Sequence, residues 1–198
     1  PPGRAAKGLP LVILPHGGPY GIRDKLDYSN EVQFLANRGY VVLQPNYRGS
    51  DGYGDSFYKL GDGQIGRAMQ DDLDDGMDWL VKEGIVHAKR VCIVGSSYGG
   101  YAAVWGVIRN PDRYRCAASF AGVMNWKRQL KYQNNQESDG SERKGWSRKV
   151  RGGTDGNFDL AMISPAQQEA RLTRPVLLVH GDKDTRVPFS QHKEMVEL

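Results

Sequence analysis

Residues 91–108, VCIVGSSYGGYAAVWGVI, decide how this chain is read. Val91 to Val94 form an apolar run of strand length, and Tyr98 to Ile108 are almost wholly apolar, as a buried helix requires. Between them lies Gly95-Ser96-Ser97-Tyr98-Gly99, a G-x-S-x-G turn set between strand and helix. Such a turn strains the serine backbone, and side chains two positions to either side would collide with the neighbouring strand and helix. The start of the helix also favours developing negative charge. Ser97 is therefore the candidate nucleophile. A plain β–α turn or a phosphate loop are the alternatives. The latter fits poorly, because no Lys-Ser/Thr follows and no G-x-G-x-x-G is present.

Further apolar runs occur at Leu11 to Leu14, Tyr40 to Leu43, Arg115 to Phe120 and Pro175 to Val179. Their Val and Ile content without alternation predicts strands buried on both faces, as in a parallel sheet. Helix-period segments separate them: Asn30 to Asn37, Ile65 to Lys82, Leu160 to Arg171 and Ser190 to Leu198. Strands alternating with helices predict an α/β doubly wound domain with its site along the edge formed by the strand C-termini. The one linker-like stretch runs from Lys131 to Asn157. Glycine is 25 of 198 residues, against a usual share of about 7%. These glycines cluster between the apolar runs and mark tight turns. No run of about 18 apolar residues is present, so no membrane partner is expected.

Two loops flank the elbow in this scheme. Pro15-His16-Gly17-Gly18-Pro19 follows the first strand. Acyl transfer needs two N–H donors aimed at the oxyanion, one from the residue after the nucleophile and one from an early glycine-rich loop. Tyr98 and Gly18 are the candidates. In α/β-hydrolases the triad order is Ser, acid, His, so His16 reads as a loop-shaping residue and not the base. After the last strand comes His180-Gly181-Asp182-Lys183-Asp184-Thr185-Arg186-Val187-Pro188. A triad acid belongs there, and both Asp182 and Asp184 qualify on position. Metal ligation by His180 and the two aspartates is the weaker reading.

Four blocks, HGGP (16–19), NYRGSDGYG (46–54), GSSYGGY (95–101) and HGDKDTRVP (180–188), resemble the catalytic domain of the prolyl oligopeptidase family of serine peptidases, in its acylaminoacyl-peptidase and dipeptidyl-peptidase branch. The resemblance implies an α/β-hydrolase fold with Ser97 as nucleophile, Asp184 as triad acid and Tyr98 and Gly18 as oxyanion donors. It further implies Val123, Trp126 and Val187 as pocket walls, with Tyr101 contributing. Arg48 and Arg186 are either substrate ligands or structural ion pairs. Short peptides are the implied substrates, and no cofactor is implied. A carboxylesterase and a catalytically inactive fragment or interaction module are the alternatives. The family histidine should lie one strand beyond the acid. Only His192 follows Asp184, too soon for that strand, so the chain as written is expected to lack triad catalysis. The domain reads as cut at both ends, with a β-propeller expected upstream.

Lys plus Arg exceed Asp plus Glu by 27 to 23, and much of this excess is local. Residues 127–151 hold eight basic and three acidic side chains. The intervening Gln, Asn and Ser residues favour a solvated, partly mobile insertion over nucleic-acid binding. Cys92 and Cys116 read as two buried thiols acting as small hydrophobes. Without a disulfide pattern or a visible signal peptide, a cytoplasmic location is favoured. Homo-oligomerisation is left open.

Overall fold

A computed structural model describes residues 1–136, 140–152 and 158–197. Five parallel strands, β1 (Leu9–Ile13), β2 (Val41–Leu43), β3 (Val86–Ser96), β4 (Cys116–Phe120) and β5 (Val176–Val179), lie in the order β2-β1-β3-β4-β5. The order reverses beside β1, so the C-terminal ends of β1 and β3 flank a switch point, where open α/β sheets place their ligands. Helices α1 (Asn30–Asn37), α3 (Ala68–Lys82), α4 (Tyr98–Arg109) and α7 (Ser190–Val196) match the sequence periodicity closely. A one-turn helix, α2 (Asp55–Lys59), carries an i,i+4 ion pair between its end residues that apolar periodicity could not reveal.

The core lies on one side of the sheet. Residues Tyr98 to Ile108 of α4 are all buried, as are Met69, Leu73, Met77 and Leu80 of α3. They cover Leu11, Ile13, Val91, Ile93 and Ala117, which register places on one sheet face. The opposite face departs from expectation. Phe120, Leu177 and Val179 are 53%, 62% and 44% exposed. Burial on both faces, inferred from unbroken apolar runs, thus fails at β4 and β5 among the described residues. The run composition reports only that a strand is apolar, not which elements arrive to cover it.

The acidic side of α3 is held by partners from other segments. Asp72 takes a bidentate pair from Arg48, Asp71 pairs with Arg109, and Asp74 is buried against Tyr114 and Asn110. Arg48 is therefore a structural ion-pair residue. Burial raises the Asp74 carboxyl above the usual carboxylate range although both partners act to lower it.

The stretch read as a mobile insertion carries two helices, α5 (Trp126–Gln136) and α6 (Gly140–Arg151). Residues 137–139 and 153–157 of the linker-like stretch lie outside the described residues. Leu130 and Val150 are buried in the core, and Trp146 donates to Gln133 and meets Tyr20 edge-on at 5.8 Å. A few anchors spaced one helical turn apart outweigh the polar composition between them. Conversely, the helix predicted over Leu160 to Arg171 is three short 3-10 turns. Pro165 supplies no N–H to an α-helical ladder and begins a new turn there.

Cys92 and Cys116 form a disulfide, with S–S 2.05 Å and Cα atoms 4.9 Å apart. The parallel register sets Cys92 directly beside Cys116, so both sulfurs face the same side, and both residues are half-buried. The expectation of two buried thiols is corrected. The cytoplasmic assignment, which rested on the lack of a disulfide pattern, does not hold, since disulfides persist mainly in oxidising compartments. No helix among the described residues is long and apolar enough to cross a membrane.

Candidate active site

The strand ends build the site. Ser97 sits between β3 and α4 at φ 55°, ψ −121°, a conformation that costs roughly 1–3 kcal/mol for a residue with a side chain. Its N–H donates to the Phe120 carbonyl at 2.9 Å, and its own carbonyl accepts from Tyr101 N–H at 3.0 Å. Ala121, also at positive φ, donates to Val179 at 2.8 Å. The ends of β3, β4 and β5 are thereby linked by backbone bonds on the edge that presents Ser97.

The glycines around Ser97 are demanded by space. A Cβ at Gly95 would lie 2.5 Å from the Gly99 backbone, and one at Gly99 only 2.2 Å from the Pro15 carbonyl oxygen. That oxygen belongs to the loop after β1, so the elbow and the HGGP loop are in contact. Gly99→Ala should cost about 3 kcal/mol, because backbone on both sides must move. That would lower the melting temperature by roughly 6–12 °C. Gly145 in α6 has nothing within 4 Å of its Cβ position, and Gly145→Ala should instead stabilise by about 0.5–1 kcal/mol. Thermal melts of the two variants check both signs.

In the HGGP loop, a Cβ at Gly17 would lie 3.7 Å from the Ser97 Cβ, so this loop abuts the serine. Gly18 has φ 114°, which favours glycine, and precedes a cis peptide to Pro19. His16 is buried, as loop shaping requires. Its Nδ1 lies 2.7 Å from the Gly17 carbonyl and its Nε2 2.8 Å from Ser50 Oγ. Burial lowers its pKa, which favours the neutral ring. Tyr98 lies at the first position of α4, where the backbone N–H has no intrahelical acceptor. Its side chain is buried, with the hydroxyl donating to Met69 Sδ.

Past β5, Asp184 closes a tight turn. Its Oδ1 accepts from the N–H groups of Arg186 and Val187 at 2.8 and 2.9 Å. One carboxylate oxygen is thus occupied by backbone. Asp182 is exposed. His180 Nε2 donates to the Val187 carbonyl at 2.8 Å and lies 3.7 Å from Asp184 Oδ2, so the ring braces the same turn. His192 stacks on Phe189 with ring centroids 5.1 Å apart. Among the described residues no histidine bridges Ser97 and Asp184. The Arg186 side chain is exposed, while its carbonyl accepts from Gln129.

Val123, Trp126, Val187 and Tyr101 are 4%, 1%, 4% and 0% exposed. Trp126 meets Tyr101 edge-on at 5.1 Å. The segment bearing Val123 and Trp126 is held by side chains that drew no attention in the sequence. Gln191 Oε1 accepts from the N–H groups of Met124 and Asn125, and Ser164 Oγ accepts from Trp126 N–H. Only distant chain segments meeting in the fold create these bonds, and no local motif marks them.

A cleft of about 280 Å3 beside the elbow is lined by Pro15, His16, Gly17, Asp24, Gly95 and Ser96 among others. A larger one, about 530 Å3, lies at the opposite end of the strands around the disulfide, Arg90 and Arg115, away from Ser97.

A parallel sheet with a strained serine between strand and helix, against a glycine loop from an earlier strand, defines a serine-peptidase-like α/β-hydrolase. Residues 26–198 match the prolyl oligopeptidase family, and the chain belongs to it. Dipeptidyl aminopeptidase BIII of Pseudoxanthomonas mexicana is 36% identical over 200 residues, covering 98% of this chain and 28% of that protein. Dipeptidyl peptidase family member 6 of Caenorhabditis elegans is 30% identical over 201 residues, covering 94% of this chain and 25% of the relative. A Mycobacterium tuberculosis puromycin-hydrolyzing peptidase superposes with a TM-score of 0.85 at 25% identity, over 98% of this chain and 28% of that one. A Pyrococcus horikoshii acylaminoacyl peptidase, at 24% identity and TM-score 0.83, shares the fold over all of this chain and 31% of its own. The chain thus spans about a quarter to a third of the length of these proteins.

Proposed function

We propose that this chain is the catalytic core of a serine peptidase that cleaves short peptides through an acyl-enzyme. Ser97 Oγ attacks the scissile carbonyl. A histidine outside residues 1–198 takes its proton, and Asp184 orients that imidazole and stabilises its charged form. The N–H groups of Tyr98 and Gly18 receive the oxyanion. Val123, Trp126 and Val187 wall the pocket for the residue before the cleaved bond. Tyr101, wholly buried, supports that wall by packing on Trp126. A propeller elsewhere in the longer protein would exclude folded substrates.

The observation that carries this reading is the strained Ser97 at φ 55°, exposed above an otherwise buried helix and flanked by glycines that backbone contacts require. The intact protein, treated with a fluorophosphonate probe, should form one adduct, on the peptide containing Ser97. It should turn over aminoacyl or dipeptidyl anilides. An adduct elsewhere removes the nucleophile assignment, and exclusive turnover of a simple butyrate ester removes the peptidase.

A further inference from the structure

We propose that Tyr47 and Ser50 are positioning residues of the oxyanion loop, acting through the His16 ring to aim the Gly18 N–H. This rests on the hydrolase reading above.

The three side chains form one buried unit. Ser50 is wholly buried, Tyr47 is 2% exposed and His16 8% exposed. The rings of His16 and Tyr47 stack at 4.3 Å with 21° between their planes. The Tyr47 hydroxyl donates to the His16 carbonyl at 2.7 Å. Burial raises the Tyr47 pKa well above the ordinary phenol, so that donor persists.

Proton positions follow from which partners can only accept. The Gly17 carbonyl has no proton to give, so the 2.7 Å contact requires a hydrogen on His16 Nδ1. In the neutral ring Nε2 is then an acceptor, and Ser50 Oγ–H donates to it at 2.8 Å. Ser50 thus supplies the Nε2 partner of the tautomer that holds the Gly17 carbonyl. The cis bond in this loop is Gly18-Pro19, so the Gly17-Gly18 peptide is trans. In a trans peptide the carbonyl and the N–H point in opposite directions. Tying the Gly17 carbonyl to the His16 ring therefore fixes where the Gly18 N–H points. The NYRGS segment, which among the described residues makes no hydrogen bond to Ser97 or Asp184, reaches the oxyanion loop through this relay.

The test is a kinetic series in the intact protein on a dipeptidyl anilide. Ser50→Ala and Tyr47→Phe should each lower kcat about 10-fold, the value of one lost hydrogen bond, with KM changed less than about 2-fold. His16→Gln, which moves the donor away from the Nδ1 position, should lower kcat about 100-fold. His16→Asn, whose amide nitrogen sits near the Nδ1 position, should recover activity to within about 10-fold of the parent. Tyr47→Phe removes one oxygen from a ring that remains stacked, so it decides the matter even where Ser50→Ala fails to fold. Unchanged kcat in Tyr47→Phe, a rise in KM alone, or equal losses in His16→Asn and His16→Gln would overturn the proposal. Those results leave the hydrolase reading intact if Ser97→Ala is inactive in the same assay. Turnover retained in Ser97→Ala instead overturns that reading and, with it, this proposal.

Discussion

Ser97→Ala in the intact protein should lower kcat on a dipeptidyl anilide about 10^6-fold, close to 8 kcal/mol of lost transition-state stabilisation. The fold should survive the change. Ser97 is exposed, and its structural bonds run through backbone N–H and C=O groups that alanine retains. Alanine carries the same positive-φ penalty as serine, so the stability difference should stay within about 0.5 kcal/mol. KM should change little, because the lost interaction is with the reacting carbonyl and not with the pocket. Residual turnover of roughly 10^3-fold over the uncatalysed reaction should remain, supplied by binding and oxyanion donors. Steady-state kinetics beside a thermal melt provide both measurements. A loss below about 10^2-fold in folded protein removes Ser97 from the nucleophile role.

Asp184→Asn should be nearly as damaging, about 10^4-fold in kcat, and for a different reason. The amide oxygen of asparagine can take the place of Oδ1 and accept from Arg186 and Val187, so the turn after β5 should keep its shape. The second oxygen becomes an NH2 group. A catalytic imidazole would then meet a donor where it needs an acceptor, and the tautomer that can deprotonate Ser97 would be disfavoured. Asp184→Ala removes the turn bonds as well and should add a stability loss of about 1–2 kcal/mol. The asparagine variant separates the two effects. Normal melting with a 10^4-fold loss of kcat supports the triad role, whereas lower melting with kcat intact makes Asp184 a turn residue only.

The parts of the fold that the sequence displays are those decided by near neighbours. The elbow reads directly because its glycines at 95 and 99 answer contacts within the same strand–turn–helix unit and the loop beside it. Helix α4 reads directly because every residue from Tyr98 to Ile108 is buried, whichever way it faces. The Asp184 turn was legible only as a choice between two aspartates, until the resemblance favoured one of them. What stayed hidden depends on partners distant in the chain. The Ser50 bond to His16 spans 34 residues, and Gln191 reaches back 66 to Asn125. The docking of Trp146 and Val150 was masked by the glutamines, asparagines and lysines around them. The open face at Phe120, Leu177 and Val179 depends on what packs there, which no strand encodes in itself.

The Cys92–Cys116 bond also has a meaning for how this sheet is put together. Successive residues of a strand face opposite sides, so a one-residue slip of β4 along β3 would turn Cys116 to the far face. The two thiols would then be separated by the thickness of the sheet and could not join. The same register that seats Cys92 beside Cys116 sets Ser96 beside Phe120, next to the serine and its backbone acceptor. The cross-link is therefore a covalent record of correct alignment, made at one end of the strand pair and certifying the geometry at the other.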